Sequence, residues 1–361
     1  MKILFAGSGS GGHIFPALAL AEEFSKENNI DVFILKTGNE DIDKQISEKG
    51  YKVVDFGLRD VSFAAFGKAF LSVFKLIYAF FVSFSIIARI KPDIVLGFGG
   101  YHCGPVVMLA HFLRIPTLIH EQNVVPGKAN SILAKFVDKI AVSFPESLKF
   151  FPSRKTFFTG CPLRKEIIDV SLDEARKEFN IKDDKFTIFV VGGSQGSHSI
   201  NSKFLESISQ INNKEALRII HVTGYQDYDF MLKEYARLKV DALVFAFLKK
   251  IGYAYKIADM AITRAGASTI SELIALRIPA LIIPYPFAGG HQLINAEVLS
   301  RAGAAIVMED SKVTAANLKE NISSLISDRN IIKRMKSSFD GLQVKNAGEN
   351  LAREVLSLRK C

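Results

Sequence analysis

The residues best able to do chemistry in this chain sit where apolar runs end in glycines. The first such turn is Gly7-Ser8-Gly9-Ser10-Gly11-Gly12-His13, which formally has the G-x-G-x-x-G spacing of a dinucleotide fingerprint. That fingerprint also needs an acidic residue closing the next strand to hold a ribose, and the next apolar run, Val32–Leu35, ends in Lys36-Thr37 instead. What remains is a turn of backbone N–H groups opening a helix, a place for an anion. Pro16 fits a helix first turn. His13, on the rim of the turn, is the best-placed general base in the chain, since a neutral imidazole can take a hydroxyl proton near pH 7. A capping histidine is an equal alternative.

Gly97-Phe98-Gly99-Gly100-Tyr101-His102-Cys103-Gly104-Pro105 repeats the strand-to-glycine logic after Ile94–Leu96, and His120-Glu121-Gln122-Asn123 follows Thr117–Ile119. Ligands of parallel sheets lie at the carboxyl ends of strands, so these three loops share one rim. Backbone donors together with Asn123, Lys128 and Asn130 suit a phosphorylated ligand there, and Gly99, Gly100, Tyr101, Glu121 and Asn130 are candidate contacts on that rim. Taken alone, Glu121-Gln122-Asn123 reads as a polar turn.

In the second half, Gly192-Gly193-Ser194-Gln195-Gly196 lacks dinucleotide spacing but presents N–H groups and a hydroxyl to a phosphate. Arg264-Ala265-Gly266-Ala267-Ser268-Thr269-Ile270-Ser271-Glu272 follows Met260–Thr263, with small residues that let a ligand approach the backbone. Glu272 falls in the first helical turns, where a carboxylate can grip vicinal ribose hydroxyls or simply favour the helix dipole. Gln292, between His291 and Asn295, offers a donor and an acceptor to sugar hydroxyls, or is a surface amide.

These loops need parallel sheets beneath them. Apolar runs alternate with helical stretches: Lys2–Ala6, Val32–Leu35, Ile94–Leu96, Thr117–Ile119 and Ile140–Val142, then Phe186–Val191, Arg218–Val222, Leu243–Phe245, Met260–Thr263 and Ala280–Ile283. Both series open with a strand, a glycine turn and a helix, so the chain reads as α/β, two doubly wound domains in tandem. The expected domains are 1–163 and 164–339, with a C-terminal helix at about 340–361 available to pack back. The length fits two domains, and 48% hydrophobic against 23% charged residues excludes a disordered coil. Three scattered cysteines, without C-x-x-C spacing, exclude a disulfide framework or structural zinc and fit a reducing compartment. The N-terminus lacks the apolar segment and cleavage site of a secretory signal.

Charge is uneven. Of the net +9, residues 52 to 160 carry thirteen Lys/Arg against six Asp/Glu, whereas residues 1 to 51 carry five against eight. No long basic run or RNA-type aromatic signature is present, so lipid and phosphate rank above nucleic acid as partners. The basic region contains Val61–Ile90, apolar nearly all round. Its uncharged run, Leu76 to Ala88, is thirteen residues, too short to span a bilayer. Phe70, Phe74, Ile77, Phe81, Phe84 and Ala88 form the stripe expected to be buried. Val73, Leu76, Phe80 and Ile87 are surplus and, with flanking Lys68, Lys75, Arg89 and Lys91, suit a helix in a membrane interface. A core helix is the rival reading.

Taken in order, GSGSGGH, GFGGYHCGP, HEQN, GGSQG and RAGASTISE closely resemble the MurG family of N-acetylglucosaminyltransferases, along essentially the whole chain. The resemblance implies a GT-B fold, two Rossmann-like domains facing a cleft. It also implies inverting transfer of GlcNAc from UDP-GlcNAc to undecaprenyl-diphospho-MurNAc-pentapeptide by a peripheral enzyme at the cytoplasmic face of the membrane. Carried over by position, donor contacts fall on Ser10, Gly11, Gly12, Asn123, Arg164, Ser194, Leu248, Ala267, Ser268, Thr269, Ile270, Ser271, Glu272 and Gln292. Glu272 would hold the ribose and Gln292 the GlcNAc. Arg164, Ser194 and the Ala267–Thr269 turn would face the diphosphate, and His13 would be the base. No tightly bound cofactor or metal is implied, as no D-x-D or His/Asp cluster occurs, leaving the charge of the leaving group to Arg164 and helix dipoles. Ser10 stands where a threonine is expected and Cys103 where a serine is common. Phe287-Ala288-Gly289-Gly290 lacks the usual charged or amide residues, which weakens any further sugar contact just before Gln292.

Overall fold

The structure, a computed structural model, describes all residues except 8–10, 28, 37–39, 57–67, 101–102, 194, 288 and 360–361, and gives the backbone alone for 40–42, 45 and 68–76. Ser10, Tyr101, Ser194 and the segment 61–67 therefore lie outside the described residues. The chain divides into two compact units, Met1–Arg164 with Lys345–Cys361, and Lys165–Val344.

The first unit holds a seven-stranded, wholly parallel sheet in the order β3-β2-β1-β4-β5-β6-β7. Its strands are β1 Lys2–Gly7, β2 Asp31–Leu35, β3 Lys52–Val54, β4 Ile94–Gly99, β5 Thr117–Glu121, β6 Lys139–Val142 and β7 Thr156–Phe158. Helices cover both faces, so the central strands are apolar on both sides. Along β1 the residues alternate between two cores. Ile3 and Phe5 pack with Leu18 and Phe24 of the helix Gly11–Phe24, while Leu4 and Ala6 pack with Ile86 and Ile90 of the helix Lys68–Ile90 and with Val106 and Val107 of the helix Cys103–Phe112.

The helix Ala347–Leu356 returns to this unit. Its Leu351 and Val355 are fully buried beside Leu18 and Leu20, and Glu354 pairs with Lys139 at 2.5 Å. The two apolar side chains together contribute about 3–6 kcal/mol of burial, more than the partly buried ion pair adds.

The second unit carries a six-stranded parallel sheet in the order β10-β9-β8-β11-β12-β13. The strands are β8 Phe186–Val191, β9 Leu217–Val222, β10 Asp241–Phe245, β11 Met260–Thr263, β12 Ala280–Ile282 and β13 Ala305–Val307. Ile188 and Val190 point into one core. Phe189 points the other way and meets the ring of Tyr255 edge-on at 5.0 Å, which matters for the site below.

Three strands escape the sequence reading: β3, β7 and β13. Each is three residues long at a sheet margin, too short to show a period. A second difference concerns the helix Lys68–Ile90. Ile77, Phe81, Phe84 and Ala88, expected to be the buried stripe, are exposed, and Phe81 is 71% accessible. The buried face is Ala79, Ser83, Ile86, Ile87 and Ile90, so Ile87, counted as surplus, is core, and Phe80 is only partly covered. A helix apolar on two faces has two valid stripes, and contact with the helix Cys103–Phe112 decides between them. Among the described residues no helix is long and apolar enough to cross a membrane.

Candidate active site

Both sheets reverse their winding at one place, between β1 and β4 and between β8 and β11. The glycine turns follow those strands, so each unit places its turns at a topological switch point, where open α/β sheets bind ligands.

In the first unit, Gly11, Gly12 and His13 open the helix Gly11–Phe24. The turn after β4 reaches them because Gly99 and Gly100 take left-handed backbone angles, φ +93° and +86°. A Cβ at Gly99 would stand 3.1 Å from the His13 imidazole and 3.8 Å from the Asn130 amide, so a side chain there would crowd the ring. Arg164, which ends the first unit, is buried and lays its guanidinium over the Phe15 ring, 4.0 Å to the centroid. Phe15 belongs to the same helical turns as His13, so stacking fixes a cation close to that helix N-terminus.

His13 Nδ1 lies 3.1 Å from Gln122 Oε1, and Gln122 Nε2 lies 3.1 Å from His120 Nδ1. Glu121 has a different occupation from a free ligand. Its buried carboxylate accepts from the backbone N–H and side-chain amide of Asn123 at one oxygen, and from Gly127 N–H and the Asn130 amide at the other. Four bonds to one loop make it the clamp that shapes residues 121–130. Asn130 donates to His120 O and to Glu121, while its buried Oδ1 has no protein partner. Asn123 is partly exposed. Cys103 is buried under the β4 turn, and burial pushes its thiol up to about 12, so it acts as a small apolar residue.

In the second unit, Gly196 (φ +76°) is held against β9, and a Cβ there would come within 2.1 Å of Thr223 O. Only glycine permits this turn. The helix Ala267–Leu276 follows Gly266, which offers its first turn no side-chain cap, so the N–H groups of Ala267, Ser268 and Thr269 face outward from the helix end. Ser271 bonds back to Ala267 O, and Ile270 is core. Glu272 is buried and accepts from the Tyr255 hydroxyl at 2.8 Å, with Tyr255 itself packed against Phe189. Leu248 lies half-buried beyond β10.

Gln292, second residue of the helix His291–Ala302, has its Oε1 taken by two backbone donors, Ala265 N–H at 3.0 Å and Tyr285 N–H at 2.9 Å. Its amide N–H groups are thus what it can offer a ligand, which narrows the dual role expected for it. Asn295 binds the same loop through Ala265 O.

Arg264, which opens the loop after β11, has a role that no local spacing signals. It is buried and donates to Ile283 O, Pro284 O, Asp310 and Ser197 Oγ, tying together the loops after β8, β11, β12 and β13. Burial alone would raise the Asp310 carboxyl, yet the Arg264 bond and charge hold it below the usual range. Among the described residues no three His, Cys, Asp or Glu side chains gather as metal ligands.

Two buried histidines give each unit a pH signature. Burial lowers His120 to about 4 and His221, bonded to Tyr235 and Asn201, to about 3. Above pH 6.5 both are neutral folded or unfolded. Below it the unfolded chain takes protons that the folded chain refuses, so stability falls by about 1.4 kcal/mol per pH unit per residue. The loss continues to about pH 4 for His120 and about pH 3 for His221. Denaturant melts at pH 7.5 and pH 5 should show each unit weakened by about 2 kcal/mol at the lower pH. Equal stability at both would contradict the neutral buried state.

Residues 3–142 match the Glycosyltransferase family 28 N-terminal domain and residues 187–351 its C-terminal domain. The UDP-N-acetylglucosamine–N-acetylmuramyl-(pentapeptide) pyrophosphoryl-undecaprenol N-acetylglucosamine transferase of Thermodesulfovibrio yellowstonii is 36% identical, over 97% of both chains. That of Halothermothrix orenii is 37% identical, over 99% of this chain and 97% of its own. Among solved structures, Acinetobacter baumannii MurG superposes with a TM-score of 0.78 at 27% identity, covering 99% of each chain. The UDP-GlcNAc 2-epimerase of Neisseria meningitidis, at TM-score 0.71 and 15% identity over 99% of this chain and 100% of its own, shares the fold alone. By its motifs, its two parallel-sheet units and its full-length likeness to these transferases, the chain belongs to the MurG family, on the GT-B fold.

Proposed function

We propose that this protein transfers N-acetylglucosamine from UDP-GlcNAc to undecaprenyl-diphospho-MurNAc-pentapeptide. The observation that carries this is likeness at 36–37% identity, across nearly the whole chain, to enzymes named for that reaction. The site chemistry agrees with it. The first unit carries a base beside a cation, and the second a carboxylate, an amide and a helix N-terminus.

In this reading Glu272 accepts from the ribose hydroxyls, held in aim by Tyr255. The Ala267–Thr269 N–H groups take the diphosphate, a role to which Ser194 is also assigned. The Gln292 amide donates to the GlcNAc, and Leu248 and Asn123 add donor contacts. Ser10, Gly11 and Gly12 are assigned to the donor as well, and Gly99, Gly100, Tyr101 and Asn130 to the attacking sugar of the acceptor. The acceptor hydroxyl oxygen attacks the anomeric carbon as the bond from that carbon to the diphosphate oxygen breaks. The hydroxyl proton passes to His13, and UDP leaves with the electron pair. Arg164 and the helix N-termini meet the growing negative charge. The transfer is redox-neutral, and its charges fall on these groups, so the reading calls for no tightly bound cofactor. A single displacement inverts the anomeric centre: NMR of the product should show a β-linkage from the α-linked donor, and an α-linkage would contradict it.

The reading also puts the enzyme on the cytoplasmic face of the membrane. Ile77, Tyr78, Phe81 and Phe84 form an exposed apolar face on the helix Lys68–Ile90, and the neighbouring helix Cys103–Phe112 leads into exposed Phe112 and Leu113. Arg89, Lys91 and Arg114 are exposed on the same elements or at their ends. Apolar insertion, reinforced by about 1 kcal/mol per basic residue near anionic lipid, supports peripheral binding. Salt should weaken co-sedimentation with anionic vesicles without abolishing it. Phe81→Ser with Phe84→Ser should release the protein while its melting curve stays near wild type, because neither side chain is core. Retained vesicle binding in a folded double variant would contradict this.

A further inference from the structure

The side chain of Gln122 joins two histidines, and counting its donors and acceptors leaves one solution. His120 Nε2 lies 3.2 Å from Gly160 O, a carbonyl that can only accept, and 3.4 Å from Ser143 Oγ, a hydroxyl that can accept or donate, so the nearer carbonyl decides and this nitrogen carries the hydrogen. Burial keeps the His120 ring neutral, with a pKa of about 4, so its Nδ1 is a bare acceptor. Gln122 Nε2 lies 3.1 Å from that Nδ1 and 3.1 Å from His120 O. Its two hydrogens serve those two acceptors. Turning the amide over would set two oxygens against each other at His120 O, which fixes the orientation independently. Gln122 Oε1 is therefore the atom 3.1 Å from His13 Nδ1, and being an acceptor it requires a hydrogen on that nitrogen.

We infer that Gln122 is a positioning residue that holds His13 in its Nδ1–H tautomer, leaving Nε2 bare to accept the proton. The chain of bonds runs from the fixed backbone carbonyl of Gly160 through His120 and Gln122 to His13, each link dictating the next. Gln122 is 1% exposed and His120 fully buried, so water does not compete for these groups. A neutral amide also differs from the carboxylate often found behind a catalytic histidine: it orients the ring without offering a full charge to the imidazolium. The inference rests on His13 being the base in so far as it concerns turnover. The tautomer itself stands apart from that.

The test is a long-range 1H–15N spectrum of His13 in the full-length protein, recorded with the ring neutral. Wild type should show Nδ1 protonated and Nε2 bare. Gln122→Met, which keeps the bulk and removes the acceptor, should move the ring toward the Nε2–H form. It should also lower kcat by roughly 10- to 100-fold, up to the full loss from removing a general base, while UDP binding stays unchanged. Gln122→Glu keeps an acceptor at Nδ1 and should keep the wild-type His13 tautomer, at a cost in stability because its second oxygen faces His120 O and the bare His120 Nδ1. Protonated Nε2 in wild type, or an unaltered tautomer in folded Gln122→Met, would overturn the inference. If His13→Ala kept full activity while the tautomer matched, the base assignment alone would fail.

Discussion

His13→Ala should lower kcat by about 100-fold or more while UDP and UDP-GlcNAc bind as in wild type. The size is that of losing a positioned general base. The separation of effects follows from the placing of the ring. His13 stands on the first turn of the helix Gly11–Phe24, beside the glycine turn that ends β4, where an added Cβ at Gly99 would come within 3.1 Å of the ring, and its ring bonds Gln122. Stability should change little, because the ring is only partly covered. Steady-state kinetics with donor titrations by calorimetry separate kcat from donor affinity. A variant with near-normal kcat would remove His13 from the mechanism, and one that lost UDP binding instead would make it a donor contact.

Glu272→Ala should act on the other half, weakening UDP and UDP-GlcNAc equally, by about 10- to 100-fold in Kd. A hydrogen bond to a charged group contributes roughly 1.5–3 kcal/mol, which corresponds to that range. The losses should match because ribose is common to both ligands. The substitution also removes an acceptor from the buried Tyr255 hydroxyl, so some stability should be lost, about 1–3 kcal/mol. Pairing it with Tyr255→Phe should restore part of that stability and none of the affinity. Unchanged UDP binding in Glu272→Ala would show that the ribose lies elsewhere.

Much of this was legible in the chain because it is local. A strand, a glycine turn and a helix N-terminus lie within a dozen residues of one another, so the openings at Phe5–Pro16 and Phe189–Ile200 declare both sheets and both switch points. What escaped depends on partners far apart in sequence. Arg264 gathers Ser197, Ile283 and Asp310, and no spacing rule links those positions. Glu121 reads as one polar residue in a turn until the folded loop brings Gly127 and Asn130 back to it. Gln292 looks like an amide with two faces to offer, and only the approach of Ala265 and Tyr285 shows that one is taken. On the helix Lys68–Ile90 the period was right and the phase wrong, because apolar residues occupy both faces and the sequence does not say which one a neighbour covers.

The most direct test of the account is transfer itself. Purified full-length protein is given labelled UDP-GlcNAc with undecaprenyl-diphospho-MurNAc-pentapeptide or, separately, with diacylglycerol, and the lipid phase is extracted and resolved. The account predicts label in the lipid-linked disaccharide, stoichiometric release of UDP and no labelled diacylglycerol. Binding of UDP-GlcNAc without transfer, or transfer to diacylglycerol in preference to the MurNAc lipid, would contradict it.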